Sequence, residues 1–189
     1  MIDNNNAADL ADFRQCLLAW FAEQQRPLPW REQYRPYEVW ISEIMGQQTQ
    51  MERVAQYFRR WVEQFPDLAS VAQAPEQSIL KAWEGLGYYS RARNIQRAAR
   101  QLIAEGYDDI PADQERLLAL PGIGPYTAAA ILSIAFNQPV ALRDANVERL
   151  LPGWRILIGR SNRVVHRSAW PPWRNRFWIS TTHVSTTRR

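Results

Sequence analysis

The 189-residue sequence contains a single cysteine, Cys16, and a single lysine, Lys81. One cysteine excludes a disulfide within the chain, and it excludes a zinc or iron–sulfur site built from several cysteines of this chain. No run of about 18 apolar residues is present, and residues 1–12 are polar and acidic, so the sequence predicts neither a membrane span nor a secretory signal. We therefore expect a cytoplasmic protein that does not bind a membrane.

Acidic residues are absent from residues 152–189, which carry eight arginines and four tryptophans. Residues 1–151 carry 15 basic and 19 acidic residues, so the net charge of +4 comes from the C-terminal segment alone. The high isoelectric point therefore gives no support for nucleic-acid binding by the rest of the chain. The segment could be a basic, aromatic arm that stacks on nucleic acid, or a coding sequence read out of frame. Its lack of a helical period favours the second interpretation.

Apolar residues recur with helical spacing through residues 8–136, and we find no strand of alternating polarity before residue 152. This pattern predicts an all-α fold of many short helices. The first helix carries an apolar stripe formed by Leu10, Phe13, Leu17 and Phe21. Later helices are predicted at 37–46, from Thr49 (with Thr49 and Glu52 at the spacing of a capping box), and at 68–73, 75–85, 89–105, 113–120 and 125–136.

The segment LPGIGPYT, at residues 120–127, lies between a short predicted helix and an apolar one, which is typical of a helix-hairpin-helix. Gly122 and Gly124 would let the backbone come close to a phosphate, and the amides that begin the next helix, including that of Thr127, would point at the anion. Taken alone, the same pattern is that of an ordinary glycine-rich turn between two helices.

Four further segments accompany this turn in the order and spacing of the MutY-like adenine DNA glycosylases. They are LPWR at 28–31, VWISEIM with QQT at 39–45 and 47–49, WEGLGYYSRARN at 83–94, and DANV at 144–147. The sequence resembles this family over residues 8–151, with a C-terminal part that is truncated or frameshifted. The resemblance implies a helix-hairpin-helix DNA glycosylase fold.

The same resemblance implies a division of the chain into three parts. Residues 28–151 would form a six-helix domain that contains the helix-hairpin-helix. Residues 1–27 would be the N-terminal helix of an incomplete second helical domain, and residues 152–189 a divergent tail. Because the first helix would then lack partner helices, we expect its apolar stripe to be exposed and the chain to have low stability.

Cleavage of the N-glycosidic bond of adenine requires a proton on the base and a negative charge beside the sugar, as in the hydrolysis of other glycosides. The resemblance assigns the general acid to Glu43 and the stabilising anion to Asp144. A carboxyl group in an enclosed helical pocket would have a raised pKa, which suits an acid that works near neutral pH. The ordinary alternatives are a solvated helix carboxylate for Glu43 and a helix N-cap for Asp144.

Tyr126 separates two branches of the wider superfamily. Glycosylase/lyases that resemble endonuclease III carry a lysine in this motif to form a Schiff base, and the lone Lys81 lies outside it. The sequence therefore predicts a monofunctional hydrolase, with Tyr126 hydrogen-bonding in the active site and Asn146 orienting groups around the same pocket. An endonuclease III-like pyrimidine glycosylase/lyase is the disfavoured alternative.

The target base lies inside a duplex and must be extruded before it can react. The resemblance assigns the probing and wedging of the duplex to Gln48 and Tyr88. It implies that the residues around the lesion and adenine pockets are Trp30, Arg31, Gln47 and Thr49. Arg91 and Arg93 are expected near the DNA backbone, whereas Trp40, Trp61 and Trp83 fall on apolar helix faces and are predicted to pack in the core.

These assignments predict an enzyme that removes adenine from A·8-oxoguanine or A·G mispairs in double-stranded DNA, acting as a monomer. The family also carries a [4Fe-4S] cluster held by four cysteines, and those ligands are absent from this chain. The alternative function is an inactive, truncated helix-hairpin-helix protein that only binds DNA.

Overall fold

The computed structural model describes the backbone of residues 4–142 and the side chains from residue 14 onward. Asp144, Asn146 and the segment 152–189 therefore lie outside the described residues. Within 4–142 the fold is entirely helical, as predicted, and consists of one 3₁₀ helix, Pro29–Arg31, and eight α-helices. These are α1 (Asn4–Gln24), α2 (Pro36–Gly46), α3 (Met51–Gln64), α4 (Leu68–Gln73), α5 (Glu76–Ala82), α6 (Ser90–Ala104), α7 (Gln114–Ala119) and α8 (Pro125–Ile134). None of them combines the length and apolar character that a membrane crossing would need.

Helix α2 lies at the centre of the fold and packs against both α3 and α8. It is buried around most of its circumference, which is the pattern of a core helix rather than a surface one. On the α3 side, Trp61 Nε1 donates a hydrogen bond to the Tyr37 hydroxyl at 3.0 Å, and this hydroxyl donates to the Phe65 carbonyl at 2.7 Å. These three buried polar groups are therefore satisfied by each other.

Helix α6 packs against α4 and α5, and its small residues allow close contact with α4. Ala98 and Ala99 of this helix are fully buried. The side-chain amide of Gln96 donates to the carbonyls of Val71 at 3.3 Å and Ala74 at 2.7 Å, where α4 ends. Asp67 and Ser70 form a reciprocal capping box at the start of α4, which fixes where this six-residue helix begins.

The tryptophans predicted to pack in the core do so: Trp40, Trp61 and Trp83 are almost completely buried. Trp30 is also buried, and its ring meets that of Phe58 edge-on, with 5.2 Å between the centroids. Trp30 thus belongs to the core cluster in this structure.

The predicted capping box at Thr49 is wrong. Helix α3 begins two residues later, at Met51, with Gln50 as an N-cap that makes no side-chain hydrogen bond. The Thr49 hydroxyl instead donates to the Gln47 carbonyl at 3.3 Å, because the chain between α2 and α3 forms a tight turn. This turn contains two of the predicted DNA-contacting residues, Gln48 and Thr49.

Helix α1 makes none of the extensive helix–helix contacts found within residues 4–142. Trp20 is 59% exposed, whereas Leu17 and Phe21 of the predicted apolar stripe are half-buried. The guanidinium of Arg31 lies over the Phe21 ring, 5.4 Å from its centroid. This contact joins the described part of α1 to the 3₁₀ helix.

Candidate active site and DNA-facing loops

The predicted helix-hairpin-helix is formed by α7, the turn 120–124 and α8. Asp113 caps α7 as predicted, by accepting a hydrogen bond from the Arg116 amide at 2.9 Å. Within the turn, the Ile123 amide donates to the Leu120 carbonyl at 3.2 Å. Pro125 then occupies the first turn of α8, where a missing N–H costs nothing. Gly124 and Pro125 are exposed, so the N-terminal end of α8 faces the surface.

The two glycines of the turn have different physical roles. Gly122 has φ +81°, and a Cβ atom added to it would lie 2.8 Å from the Asn94 Cβ atom of α6. Gly124 has φ −94°, and a Cβ atom there would meet nothing within 4 Å. Gly122 is therefore required by packing inside the protein, whereas Gly124 leaves open the surface that a phosphate would approach. Thr127 is buried, so any DNA contact from this position would come from its main chain.

Glu43 lies on the face of α2 that the core leaves uncovered, together with Gly46 and the C-cap residue Gln47. The spacing i, i+3 and i+4 puts these three residues on one side of the helix. Burial raises the pKa of Glu43 to about 7, and the positive charge of Arg31 partly opposes this shift. Since desolvation is the main cause, the carboxyl group is one that can hold a proton near neutral pH.

Gln48 and Tyr88 share an unusual backbone conformation. Gln48 has φ +57° and Tyr88 has φ +47°, which is the left-handed region that side chains other than glycine seldom adopt. Both are exposed, Tyr88 to 67%. Strained backbone at exposed residues is typical of functional sites, because the surrounding structure must enforce it.

Arg91 and Arg93 are both engaged within the protein, so their expected approach to the DNA backbone stays a prediction. Arg91 is 9% exposed, and its guanidinium is directed inward to the carbonyls of two loops. Arg93 is paired with Glu76, with 3.0 Å between Nε and Oε1. The spacing of Arg91 with Ile95, Ala98 and Leu102 on the buried face of α6 is the signal that indicates burial, and the basic character of the segment obscured it.

A pocket of about 80 Å³ lies where the end of α2, the helix α6 and the hairpin turn meet. Among the described residues, the buried N–H groups of Trp40 Nε1 and Arg91 Nε lack a hydrogen-bond partner, and both residues line this pocket. Its other walls include Gln47, Asn94 and Gly122, so it joins the two predicted DNA-facing regions.

The remaining predicted residues are distributed around these features. Arg31 and Thr49 are half-buried, and Arg31 Nη1 donates to the Arg26 carbonyl at 3.4 Å. Tyr126 is 39% exposed in the first turn of α8. Asp144 and Asn146 lie outside the described residues, so their approach to Glu43 stays a prediction.

The residues of this chain do not fit the [4Fe-4S] cluster that the family resemblance implies. Such a cluster takes four thiolate ligands, and the sequence has one cysteine, which is exposed on α1. Within the part of the chain that the structure describes, no three His, Cys, Asp or Glu side chains come together as metal ligands would.

Comparison with known proteins gives concordant matches in sequence and in structure. The chain is 42% identical over 156 residues to the adenine DNA glycosylase of Rattus norvegicus, an alignment that covers 78% of this chain and 30% of the rat protein. Its fold is similar to that of a thermostable thymine-DNA glycosylase, with a TM-score of 0.69 and 27% identity, covering 75% of this chain and 65% of the other. It is also similar to endonuclease III in a trapped covalent intermediate with DNA, with a TM-score of 0.65 and 25% identity, covering 83% and 72%.

The chain spans less than a third of the length of its rat relative. The family match, in contrast, covers most of the chain: residues 41–175 match the HhH-GPD superfamily of base excision DNA repair proteins. Together with the helical fold and the hairpin turn before α8, this match shows that the chain belongs to the HhH-GPD superfamily.

Proposed function

We propose that the protein is an adenine DNA glycosylase, acting as a cytoplasmic monomer on adenine opposite 8-oxoguanine or guanine in double-stranded DNA. Support comes from the 42% identity to the rat adenine DNA glycosylase and from the superfamily match. The proposal concerns base excision repair, in which hydrolysis of the N-glycosidic bond releases the free base.

The observation that carries the proposal is the state of the Glu43 carboxyl group. With a pKa of about 7, Glu43 can hold a proton at neutral pH, so it can donate that proton to a departing purine and its carboxylate can then activate water. No hydrogen bond or ion pair to another described residue holds this proton in place. Glu43 is thus available to a base that enters beside α2.

The other steps are assigned to residues around Glu43. Gln48 and Tyr88 would enter the duplex and help to extrude the adenine, since both are exposed at the tips of turns. Arg31, Gln47 and Thr49 would line the site, and Gly122 and Gly124 would bring the hairpin to the DNA backbone. Asp144 would stabilise the positive charge on the sugar, and Asn146 would orient groups beside it.

We further propose that the enzyme is a monofunctional hydrolase. The first turn of α8 carries Tyr126, whose phenol cannot form an imine. The only lysine, Lys81, is exposed on α5 beside Tyr57 and Arg60, in a groove that none of the predicted site residues lines. Treatment with borohydride during the reaction should therefore trap no covalent complex, and a trapped complex would contradict this assignment.

The test of the proposed function is release of free adenine from a duplex with one A·8-oxoguanine pair. Glu43→Gln should abolish release and leave DNA binding nearly intact. Glu38→Gln is the matched control, because Glu38 is a half-buried carboxylate of the same helix whose pKa is also raised by burial, yet it pairs with Arg35 at 3.8 Å. Release that survives in Glu43→Gln would show that another group is the acid, and binding without release by the unaltered protein would favour the DNA-binding alternative.

A further inference from the structure

We infer that Arg91 is a positioning residue that holds the two DNA-facing turns together, so that Gln48 and Tyr88 enter the duplex as one unit. This inference rests on the proposed function, because it assigns a mechanical role within base extrusion. Arg91 itself is buried and would not touch the DNA.

One end of the guanidinium binds the turn that follows α2. Arg91 Nη1 donates to the carbonyls of Ile44 at 3.0 Å, Met45 at 3.4 Å and Gln47 at 2.7 Å. The last carbonyls of a helix have no partner within the helix, so Arg91 satisfies groups that would otherwise be left open at the end of α2. The shortest of these bonds is made one residue before Gln48.

The other end binds the turn that precedes α6. Arg91 Nη2 donates to the carbonyls of Leu86 at 2.9 Å and Gly87 at 3.2 Å, the residues just before Tyr88. The Gly87 carbonyl also accepts a hydrogen bond from Trp83 Nε1 at 3.0 Å. The guanidinium lies over the rings of Trp83 and Tyr88, 5.3 Å and 5.6 Å from their centroids. Arg91 therefore contacts both the backbone just before the predicted wedge residue and the ring of that residue.

The burial and charge of Arg91 indicate that it positions the two turns rather than simply stabilising the fold. Arg91 forms no ion pair with any described carboxylate, and burial lowers its pKa. A buried cation held by carbonyls and aromatic rings, with no carboxylate beside it, is a costly way to join two turns, and apolar packing would suffice for stability alone. The planar fork of an arginine, however, can bind both turns at once and keep them at a fixed separation. The two turns also contain the left-handed residues Gln48 and Tyr88, which need such external support.

The first test measures coupling of the two turns without any catalytic assay. In Arg91→Met, amide hydrogen exchange of residues 46–50 and 85–90 should accelerate together, by about tenfold or more. Arg100→Met is the matched control: Arg100 is an α6 arginine that also donates to carbonyls, those of Ala72 and Ala74, away from both turns. Acceleration in only one turn, or in neither, would overturn the inference. Should Arg91→Met fail to fold, Arg91→Lys takes its place, since one ammonium cannot reach both sets of carbonyls and the same joint acceleration is expected.

The second test asks whether Arg91 acts through the wedge residue. In single-turnover release of adenine, Arg91→Met should lower the rate about tenfold in the wild-type background and less than about twofold in a Tyr88→Ala background, as residues acting in series do. Binding to a duplex with an abasic-site analogue, which needs no extrusion, should change little. Equal losses in both backgrounds, or an equal loss of binding to the abasic duplex, would indicate a general structural role instead.

Failure of the proposed function can be distinguished from failure of this inference. If the unaltered protein releases no adenine, the same cycle is run on the fluorescence of 2-aminopurine placed opposite guanine, which reports unstacking of the base without bond cleavage. Arg91→Met should again have a larger effect in the wild-type background than in the Tyr88→Ala background. Equal effects on the fluorescence in the two backgrounds would overturn the role of Arg91, even though base release plays no part in this measurement.

Discussion

Gly122 and Asn94 meet so closely that the hairpin turn and α6 have no room for a side chain between them. A Cβ atom at position 122 would lie 2.8 Å from the Asn94 Cβ atom and 3.0 Å from Nδ2, and the φ of +81° is itself unfavourable for any other residue. We predict that Gly122→Ala lowers the free energy of unfolding by about 2 kcal/mol, because the turn must shift away from α6 and adopt strain. Urea unfolding followed by tryptophan fluorescence measures this loss.

Gly124→Ala is the control for this prediction. It lies two residues along the same turn, has φ −94° and faces open space, so its free energy of unfolding should change by less than about 0.5 kcal/mol. Its effect should appear in DNA binding instead, because a methyl group there would stand between the backbone and a phosphate. Equal destabilisation by the two substitutions would mean that the contact with Asn94 is not what requires glycine at 122.

The raised pKa of Glu43 makes stability depend on pH. In the unfolded chain this carboxyl group titrates near 4.5, and in the folded protein near 7, so between these values the folded state binds more protons than the unfolded state. Stability should therefore fall as the pH rises from about 4.5 to about 7 and then level off. Glu43→Gln removes this dependence, and at pH 8 it should be more stable than the unaltered protein by up to about 3 kcal/mol. Unfolding curves at pH 5 and pH 8 that shift equally for both proteins would contradict the assignment.

The Glu43 carboxyl group should also set the decline of the reaction rate at alkaline pH. If protonated Glu43 is the general acid, the single-turnover rate at saturating DNA should fall about tenfold per pH unit above a pH of about 7. Glu38→Gln should show the same fall in rate above this pH. A rate that stays constant from pH 6 to pH 9 would exclude Glu43 as the proton donor of the limiting step.

Backbone strain at Gln48 can be measured separately from its contact with DNA. Glycine adopts φ +57° at little cost, so Gln48→Gly should be more stable than Gln48→Ala by about 1 kcal/mol. At the neighbouring Gln47, where φ is −61°, glycine should bring no such gain over alanine. Both variants at position 48 should extrude the base poorly, because neither has a side chain that can probe the duplex. A glycine variant no more stable than the alanine variant would show that the turn is relaxed.

The helical fold could be predicted from the sequence because short, strongly periodic segments with proline and glycine at their ends leave little choice. The six-residue helix α4 was predicted at its observed residues, and Asp113 was correctly identified as the cap of α7. The start of α3 was not, since the spacing of Thr49 and Glu52 fits a capping box whereas the chain needs those residues to turn from α2 into α3. Local patterns do not report such tertiary demands.

The chemistry of the site was predictable only in part. The proposed acid at position 43 was assigned from its motif and a raised pKa was expected for it, but the burial that causes the shift comes from the packing of the fold and not from a local pattern. The contacts of Arg91 could not be predicted for a related reason: an arginine in a basic segment suggests contact with phosphate, and only the fold shows that carbonyls from residues 44–47 and 86–87 meet at its guanidinium.

Helix α2 supplies both the middle of the core and the acid of the proposed reaction. This combination limits which substitutions the helix can accept. The side chains of Ile41 and Met45, either side of Glu43, are fully buried. Removing bulk at either position would leave a cavity beside the helix, and a shift of the helix into that cavity would displace the Glu43 carboxyl group. Mutations at these two positions should therefore lower the stability of the fold and the rate of the proposed reaction together.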